Sequence, residues 1–385
     1  MKQSAQKKIG IITFHASHNC GSMLQAYALQ STLTRLGYAN EIINFSNAGS
    51  REMYSVLPKI HFFRRGIRGR ISSWFKSLGY YSLLKRQSEF YMSFLSQYLH
   101  LTEKEYRSDE ELKNEPFDFT HYVTGSDQVW NICCKDADTA YYLDFVKEGK
   151  KIAFAVSTGA TILKKVAKDI SIYEKLVESF DAISVRERNS VKQFQELSGR
   201  NDIELLIDPT LLLTQEDWES HFDLSKPIVQ GDYIFYYAFH YSHGVNSVVK
   251  QIAQKLHMPV IIIDARAWGV NNCKKDGLTL CEESGPIAFL NLMKYAKIVL
   301  TTSFHGTVFS VIFRRIFWFI DSTMHNECDD RASTLLDQLS LTDRMIDGKA
   351  LLQRDFCSRP DFSGIEERIN QLQDKEISFL EENLK

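Results

Sequence analysis

Residues 8–45, KIGIITFHASHNCGSMLQAYALQSTLTRLGYANEIINF, decide the fold class. Lys8–Phe14 is apolar and β-branched, as a buried strand requires, and the polar stretch His15–Ser22 ends it. From Met23 to Leu36 the apolar residues Leu24, Tyr27, Ala28 and Leu33 recur near helical spacing. Gly37 follows, where a left-handed helix cap is cheap only for glycine. Glu41–Phe45 is strand-like again. Two strands joined by a helix of this length predict a parallel βαβ crossover.

The same rhythm continues after an interruption. Strands are expected at Phe119–Thr124, Lys151–Val156, Ala182–Val185 and Glu204–Ile207, with a helix near Ile170–Glu178. Asp208 precedes Pro209, which disfavours the helical region, so Asp208 is expected to be extended at a strand end. After Leu213 a second unit begins. It has strands at Tyr233–Phe239, Val260–Asp264, Ile298–Thr301 and Ile316–Ile320, helices at Val245–Leu256 and Pro286–Tyr295, and a helix or buried segment from Thr307.

Length agrees with this division, since 385 residues exceed the roughly 250–300 at which one core stops growing. The expected organisation is an α/β chain of two facing Rossmann-like domains, 1–213 and 214–360. A C-terminal amphipathic helix, 361–385, packs back on the first. Two such sheets put ligands between the carboxyl ends of their strands.

Residues 50–115 interrupt the first domain and read as a mostly helical insertion. Arg51, Lys59, Arg64, Arg65, Arg68, Arg70, Lys76, Lys85 and Arg86 are interleaved there with Phe62, Phe63, Trp74, Phe75, Tyr80 and Tyr81. Two readings stand: contact with anionic lipid headgroups, or a solvated flap over part of the cleft.

Composition excludes several classes. Hydrophobic residues make up 44% and charged ones 24%, ordinary for a globular enzyme. The net charge of -2 gives no global reason to bind nucleic acid. Seven scattered cysteines without a C-x-x-C pair argue against a disulfide framework or a zinc site. Val311–Ile320 is too short to span a bilayer, and no signal-peptide pattern opens the chain, so a cytoplasmic location is expected.

Five loops at strand ends carry the groups capable of chemistry. In the first, Asn19, Gly21, Ser22 and Gln25 surround a helix amino terminus, which suits an anion, or a turn capped by Ser22. The second, Gly125-Ser126-Asp127-Gln128, offers Asp127 as a base or sugar-hydroxyl partner, with Ser126 and Gln128 beside it. Trp130 is available to stack on a sugar or to fill the core. Ser157-Thr158-Gly159 is the third. In Arg186-Glu187-Arg188, Arg186 presents a planar fork for carboxylate or phosphate, or pairs with Glu187 or another acid. In Ser303-Phe304-His305-Gly306, the small neighbours allow close approach to His305, whose imidazole can act as acid or base. Metal ligation is not expected, since no second ligand lies at a helical or hairpin spacing from His305.

Taken together, GIITFHASHNCGSMLQAYALQSTLTRLG, YVTGSDQVWN, KKIAFAVSTGAT, DAISVRERNSV, IDPTLLL and TTSFHGTVFSVIF with RASTLLDQLSLTDRMI resemble the polysaccharide pyruvyl transferase family. The resemblance implies a glycosyltransferase-B-like architecture. It also implies transfer of a pyruvyl unit from phosphoenolpyruvate to sugar hydroxyls in surface polysaccharide synthesis, with no cofactor beyond that donor. By the same resemblance Arg186 holds the donor and His305 manages protons, with Asp127 as the second catalytic group. The acceptor is a saccharide, lipid-linked or free. Many relatives carry an arginine two residues before the histidine, where this chain has Ser303. Arg331 is the candidate replacement, with Arg188 behind it. Two rivals are a nucleotide-sugar glycosyltransferase, enlisting Asp264, Arg266 and Glu282, and a non-catalytic saccharide-binding protein.

Overall fold

A computed structural model describes residues 7–62, 66–271, 273–321 and 329–385. Phe63, Arg64, Arg65 and Cys328, which figure in the sequence reading, lie outside that set.

The apolar runs become two parallel sheets. The first contains β1 (Lys8–Ile12), β2 (Ala39–Ile42), β3 (His121–Asp127), β4 (Lys150–Val156), β5 (Ala182–Val185) and β6 (Glu204–Leu205), in the order β2-β1-β3-β4-β5-β6. The second contains β7 (Ile234–Tyr237), β8 (Val260–Ile262), β9 (Leu278–Leu280), β10 (Ile298–Thr301), β11 (Ile316–Asp321) and β12 (Met345–Asp347), in the order β12-β11-β10-β7-β8-β9. In both sheets the chain builds outward to one side of the first strand and then crosses to the other. The switch points lie between β1 and β3 and between β7 and β10, which is where such sheets open a crevice at their carboxyl ends.

The helix Cys20–Arg35 crosses between β1 and β2. It starts three residues before the position read from apolar spacing. The reason is its cap: Asn19, not Ser22, accepts from the first-turn backbone, at 3.0 Å from Gly21 N and 3.3 Å from Ser22 N.

The insertion is helical, chiefly Ile67–Gly79 and Tyr81–Tyr98. It is more than a solvated flap. The Tyr81–Tyr98 helix packs on Gly285–Tyr295 of the second half, and Gln87 Nε2 donates to Ile263 O and Ser284 Oγ, each at 3.2 Å. The terminal helix Ile365–Asn383 packs on the first half. Phe379 meets Phe154, and Lys7 Nζ donates to Leu384 O at 2.9 Å. One apolar core therefore runs from β1 and Cys20–Arg35 through Trp218 to the helices of the second half.

Candidate functional site

Each of the two switch points delivers one polar side chain to the same place. At the end of β3, Gly125 has φ 112° and a Cβ there would lie 2.2 Å from Phe154 O, so only glycine fits. Asp127, two residues on, has φ 74°, a region that aspartate tolerates better than most residues. At the end of β10, Ser303 is extended and the helix Phe304–Ile312 begins, placing His305 in its first turn. A Cβ on Gly306 would lie 2.1 Å from Thr301 Oγ1, so glycine lets this helix start tight against the strand.

Between Asp127 and His305 stands a chain of buried charges. Arg186, just past β5, donates through Nη2 to Asp127 Oδ1 at 2.8 Å and through Nη1 to Asp208 Oδ2 at 2.5 Å. His305 Nε2 is 3.5 Å from that same Asp208 oxygen, an ion-pair distance. Asp208 is fixed by its own turn: it is extended before Pro209, and its Oδ1 accepts from Thr210 N at 3.1 Å and Thr210 Oγ1 at 2.7 Å. The Phe304 ring lies 4.6 Å beneath the Arg186 guanidinium. All four polar residues of the chain are buried, from 0% exposed at Asp208 to 6% at His305.

Electrostatics follow from that geometry. Burial alone would raise the Asp208 carboxyl. His305 and Arg186 outweigh it and hold Asp208 well below the ordinary carboxylate range. Burial also works to raise Asp127, and Arg186, His305 and the Ser22 hydroxyl pull it below its ordinary value. Both carboxylates are therefore ionised near neutrality.

Arg186 is paired, by Asp127 and Asp208 rather than Glu187, and has no side-chain surface left for a donor phosphate. Its guanidinium is thus turned to those two carboxylates, where the sequence reading had it hold the donor. Asp127 is likewise saturated, by Arg186, by Gln128 N at 2.8 Å and by Ser22 Oγ at 2.5 Å, which makes it a poor base. Trp130 is fully buried, stacked on Tyr142 at 4.8 Å with Nε1 donating to Tyr141 O, so it fills the core and does not meet a sugar. Ser126 and Gln25 also face inward. Gln25 bridges Thr13 Oγ1 and Ser126 N and braces the β1–β3 switch point, while Ser126 Oγ lies within hydrogen-bond reach of Ala155 O at 2.6 Å and of Asp208 Oδ2 at 3.3 Å, at the edge of the charge cluster.

Other predicted residues line the neighbourhood. Gly21 touches the imidazole of His305. Ser157 is buried, accepts from Gly159 N, and lies near the half-buried Gln128, whose Oε1 crowds Gly159. Ser303 N donates to Thr301 Oγ1 at 2.9 Å, while its side chain makes no cap bond. Arg331 opens the helix Arg331–Gln338, forms a two-pronged pair with Asp329 at 2.8 and 2.7 Å, and keeps 18% of its side chain exposed. Arg188 instead ties the halves together, pairing with Asp337 at 2.5 Å.

Sequence reasoning assigned no role to the Asp208 side chain, although its Asp-Pro turn marks a strand end. It also passed over Glu187, fully buried, which accepts from Thr158 N and Ser190 Oγ and so locks two of the loops together. Two of the three residues enlisted for a nucleotide sugar have structural partners, while Glu282 is exposed. Asp264 caps the helix Ala265–Val270, and Arg266 Nη2 donates to Ser55 O. His15 is buried between Thr13 O and Asn44, and His18 stacks on Tyr91, where burial and then Arg266 press it down to about 4. Among the described residues no three His, Cys, Asp or Glu side chains group as a metal site.

Two parallel sheets meeting at their switch points define a glycosyltransferase-B fold. The model of the polysaccharide pyruvyl transferase family matches residues 19–323, and the chain belongs to that family. Among solved structures, a UDP-N-acetylglucosamine 2-epimerase is similar over 97% of this chain and 95% of its own, with 10% identity and a TM-score of 0.55. A putative UDP-N-acetylglucosamine 2-epimerase from Listeria monocytogenes is similar over 96% and 91%, with 10% identity and a TM-score of 0.51. At such identity the likeness is one of fold. No curated protein matches the chain.

Proposed function

We propose that the protein transfers a pyruvyl group from phosphoenolpyruvate to two hydroxyls of a saccharide destined for a cell-surface polysaccharide. One observation carries this reading: in a chain of the pyruvyl transferase family, His305 is held by a buried carboxylate, Asp208, at the meeting point of the two switch points. Asp208 orients the imidazole, and Arg186 keeps Asp208 ionised and in place.

The reaction then runs in two stages. His305 gives a proton to the methylene carbon of the donor as one sugar hydroxyl adds to the adjacent carbon, and it recovers a proton from that hydroxyl. The second hydroxyl displaces phosphate from the same carbon, closing the ketal, and its proton leaves with the phosphate.

The internal charges of the cluster cancel when His305 is protonated, because two carboxylates face one guanidinium and one imidazolium. The charge of the donor must be met elsewhere. Arg331, whose side chain keeps 18% of its surface exposed, is the cation assigned to it. The start of the Phe304–Ile312 helix, uncapped by Ser303, adds backbone N–H groups.

The experiment is release of inorganic phosphate from phosphoenolpyruvate by the full chain, with and without saccharide acceptors. Acceptor-dependent release that disappears in His305→Ala is expected. Release of a nucleoside diphosphate from a nucleotide sugar, with phosphoenolpyruvate untouched, would replace this reading with that of a glycosyltransferase.

A further inference from the structure

The helix Ile67–Gly79 is turned inside out relative to an ordinary surface helix. Its buried residues are Ser73 and Ser77, fully enclosed, with Ser77 Oγ donating to Ser73 O at 2.9 Å. Its exposed residues are Ile67 at 77%, Ile71 at 42%, Phe75 at 61% and Leu78 at 46%. These four recur at helical spacing and form one outward stripe. A soluble helix buries such a stripe, because exposing apolar surface to water is unfavourable. Here the small serines let the helix seat closely against Ala265–Val270, and Gly269 accepts the Tyr80 ring so tightly that a Cβ would lie 2.7 Å from it. The seating is specific, and it directs the apolar stripe away from the protein.

Along the sequence that carries this stripe the charge is mostly of one sign, with Glu52 paired to His61 and Glu89 to Lys85 at its two ends. Between Glu52 and Glu89 the sequence has no acidic residue, while Lys59, Arg68, Arg70, Lys76, Lys85 and Arg86 are all described there, in a chain whose net charge is -2. Lys59, Arg68, Lys85 and Arg86 are exposed. On the helix, Arg68 and Arg70 flank the stripe on opposite sides, so their stems can lie along apolar surface while their heads reach outward. Beside the stripe, Lys59, Ile60, His61, Arg70 and Trp74 line a concave notch in which cations adjoin an apolar wall.

Apolar side chains at the centre with cations at the rim match a bilayer surface rich in anionic lipid: acyl chains take the stripe and phosphate headgroups meet the cations. A second protein would have to supply a matching apolar patch ringed by acids. We infer that the Ile67–Gly79 helix docks the protein on anionic membrane surfaces, lying in the plane of the interface. No helix among the described residues is long and apolar enough to cross a membrane, so the contact is peripheral. This inference is independent of the pyruvyl-transfer reading and would stand if another reaction were found.

The test is flotation of the full-length protein with vesicles of phosphatidylcholine alone or with about a third phosphatidylglycerol. The protein is expected to float with the anionic vesicles and remain at the bottom of the gradient with the neutral ones. At least a tenfold loss of the floated fraction is expected in the variant Ile67→Ser, Ile71→Ser, Phe75→Ser, Leu78→Ser, and again in Lys59→Glu, Arg68→Glu. Because the stripe faces outward, both variants should keep the wild-type melting temperature. If the fourfold variant fails to fold, Phe75→Ser with Leu78→Ser carries the same expectation. Equal flotation on both vesicle types, no flotation on either, or undiminished flotation of the variants would overturn the inference. So would a wild-type dimer in light scattering that the stripe variants convert to monomer without any lipid binding.

Discussion

Gly21 and His305 belong to opposite halves of the molecule and touch. A Cβ placed on Gly21 would lie 2.2 Å from both Cγ and Nδ1 of the imidazole, so the first turn of the Cys20–Arg35 helix forms one wall of the pocket that holds the histidine. The halves meet at this contact, and the position of His305 depends on a residue that has no side chain.

Gly21→Ala should therefore displace His305 without altering any charge. Misplacing a catalytic group by about 1 Å costs on the order of a hundredfold in rate. Phosphate release should fall by about that factor, while overpacking costs roughly 1–3 kcal/mol of stability. Wild-type turnover in this variant, measured alongside its melting temperature, would show that the contact has no bearing on the chemistry.

His305→Ala and Arg186→Ala should separate chemistry from architecture. Removing His305 takes away proton transfer, worth roughly 10²–10⁴-fold, and leaves Arg186 bridging Asp127 and Asp208. Its melting temperature should stay near that of the wild type. Removing Arg186 leaves two buried carboxylates without their cation, a loss of about 3–5 kcal/mol. Thermal melts should rank Arg186→Ala far below His305→Ala, with both inactive. Were Arg186→Ala as stable as wild type and impaired only in KM for the donor, the direct-binding role read from sequence would return.

How much of this was legible in the sequence depends on the length scale of each signal. β5 and β10 fall where the sequence placed them, because Ala182–Val185 and Ile298–Thr301 are short apolar runs closed by polar residues. β9 and β12 were not seen. Each has three residues, and Leu278–Leu280 and Met345–Asp347 carry too few apolar positions to show a period. Four of the five loops follow their strands as read, while Gly125–Asp127 of the second forms the last three residues of β3 itself. The direction each side chain takes was not legible. Trp130 and Ser126 turn into the core, and Arg186 turns to an acid 22 residues away and another 59 residues away. Such pairings are fixed by the order of strands in the sheet, which no local pattern records.

Asp208→Asn should affect both partners of that carboxylate at once. Asparagine fills the same space and can still accept one bond from Arg186, but it no longer offers a charge to His305. Activity should drop by at least tenfold while the protein remains folded, which phosphate release and thermal melts of both proteins check. Wild-type turnover in this variant would remove Asp208 from its orienting role.

Glu376 provides a stability prediction with a defined sign. It lies on the terminal helix, fully buried, with Oε1 accepting from Ile207 N at 2.5 Å and Asp208 nearby. Burial, and then the charge of Asp208, hold its carboxyl well above the ordinary range. The folded state therefore binds a proton more tightly than the unfolded chain does. That contribution is complete below the unfolded carboxyl value and is lost as pH rises toward the folded one. Glu376→Gln keeps an acceptor for Ile207 N and removes the titration. Its melting temperature should match the wild type in acid and exceed it at neutral pH, so that the gap widens with pH. A constant gap across the range would mean that Glu376 does not titrate with folding.

Arg331 carries the last prediction, because the proposed reaction needs a cation that the cluster does not supply. Arg186 is spent on two carboxylates, and Ser303, two residues before His305, brings no charge. Arg331 meets Asp329 edge to edge at the start of the helix Arg331–Gln338, with Glu187 and Asp127 also acting on its charge. Burial works to weaken its charge, and Asp329 more than restores it, so the guanidinium stays cationic throughout. A charge-assisted hydrogen bond is worth about 1.5–3 kcal/mol, which predicts a rise in KM for phosphoenolpyruvate of roughly ten- to a hundredfold in Arg331→Ala. Turnover at saturating donor should fall much less. Arg331→Lys, which retains the charge and loses the fork, should lie between the two. Ser303→Arg in the Arg331→Ala background would then place a guanidinium two residues before His305, and partial recovery of donor affinity is expected. If Arg331→Ala leaves KM unchanged, the donor's charge is met by some other group, and the place assigned to it beside Arg331 is wrong.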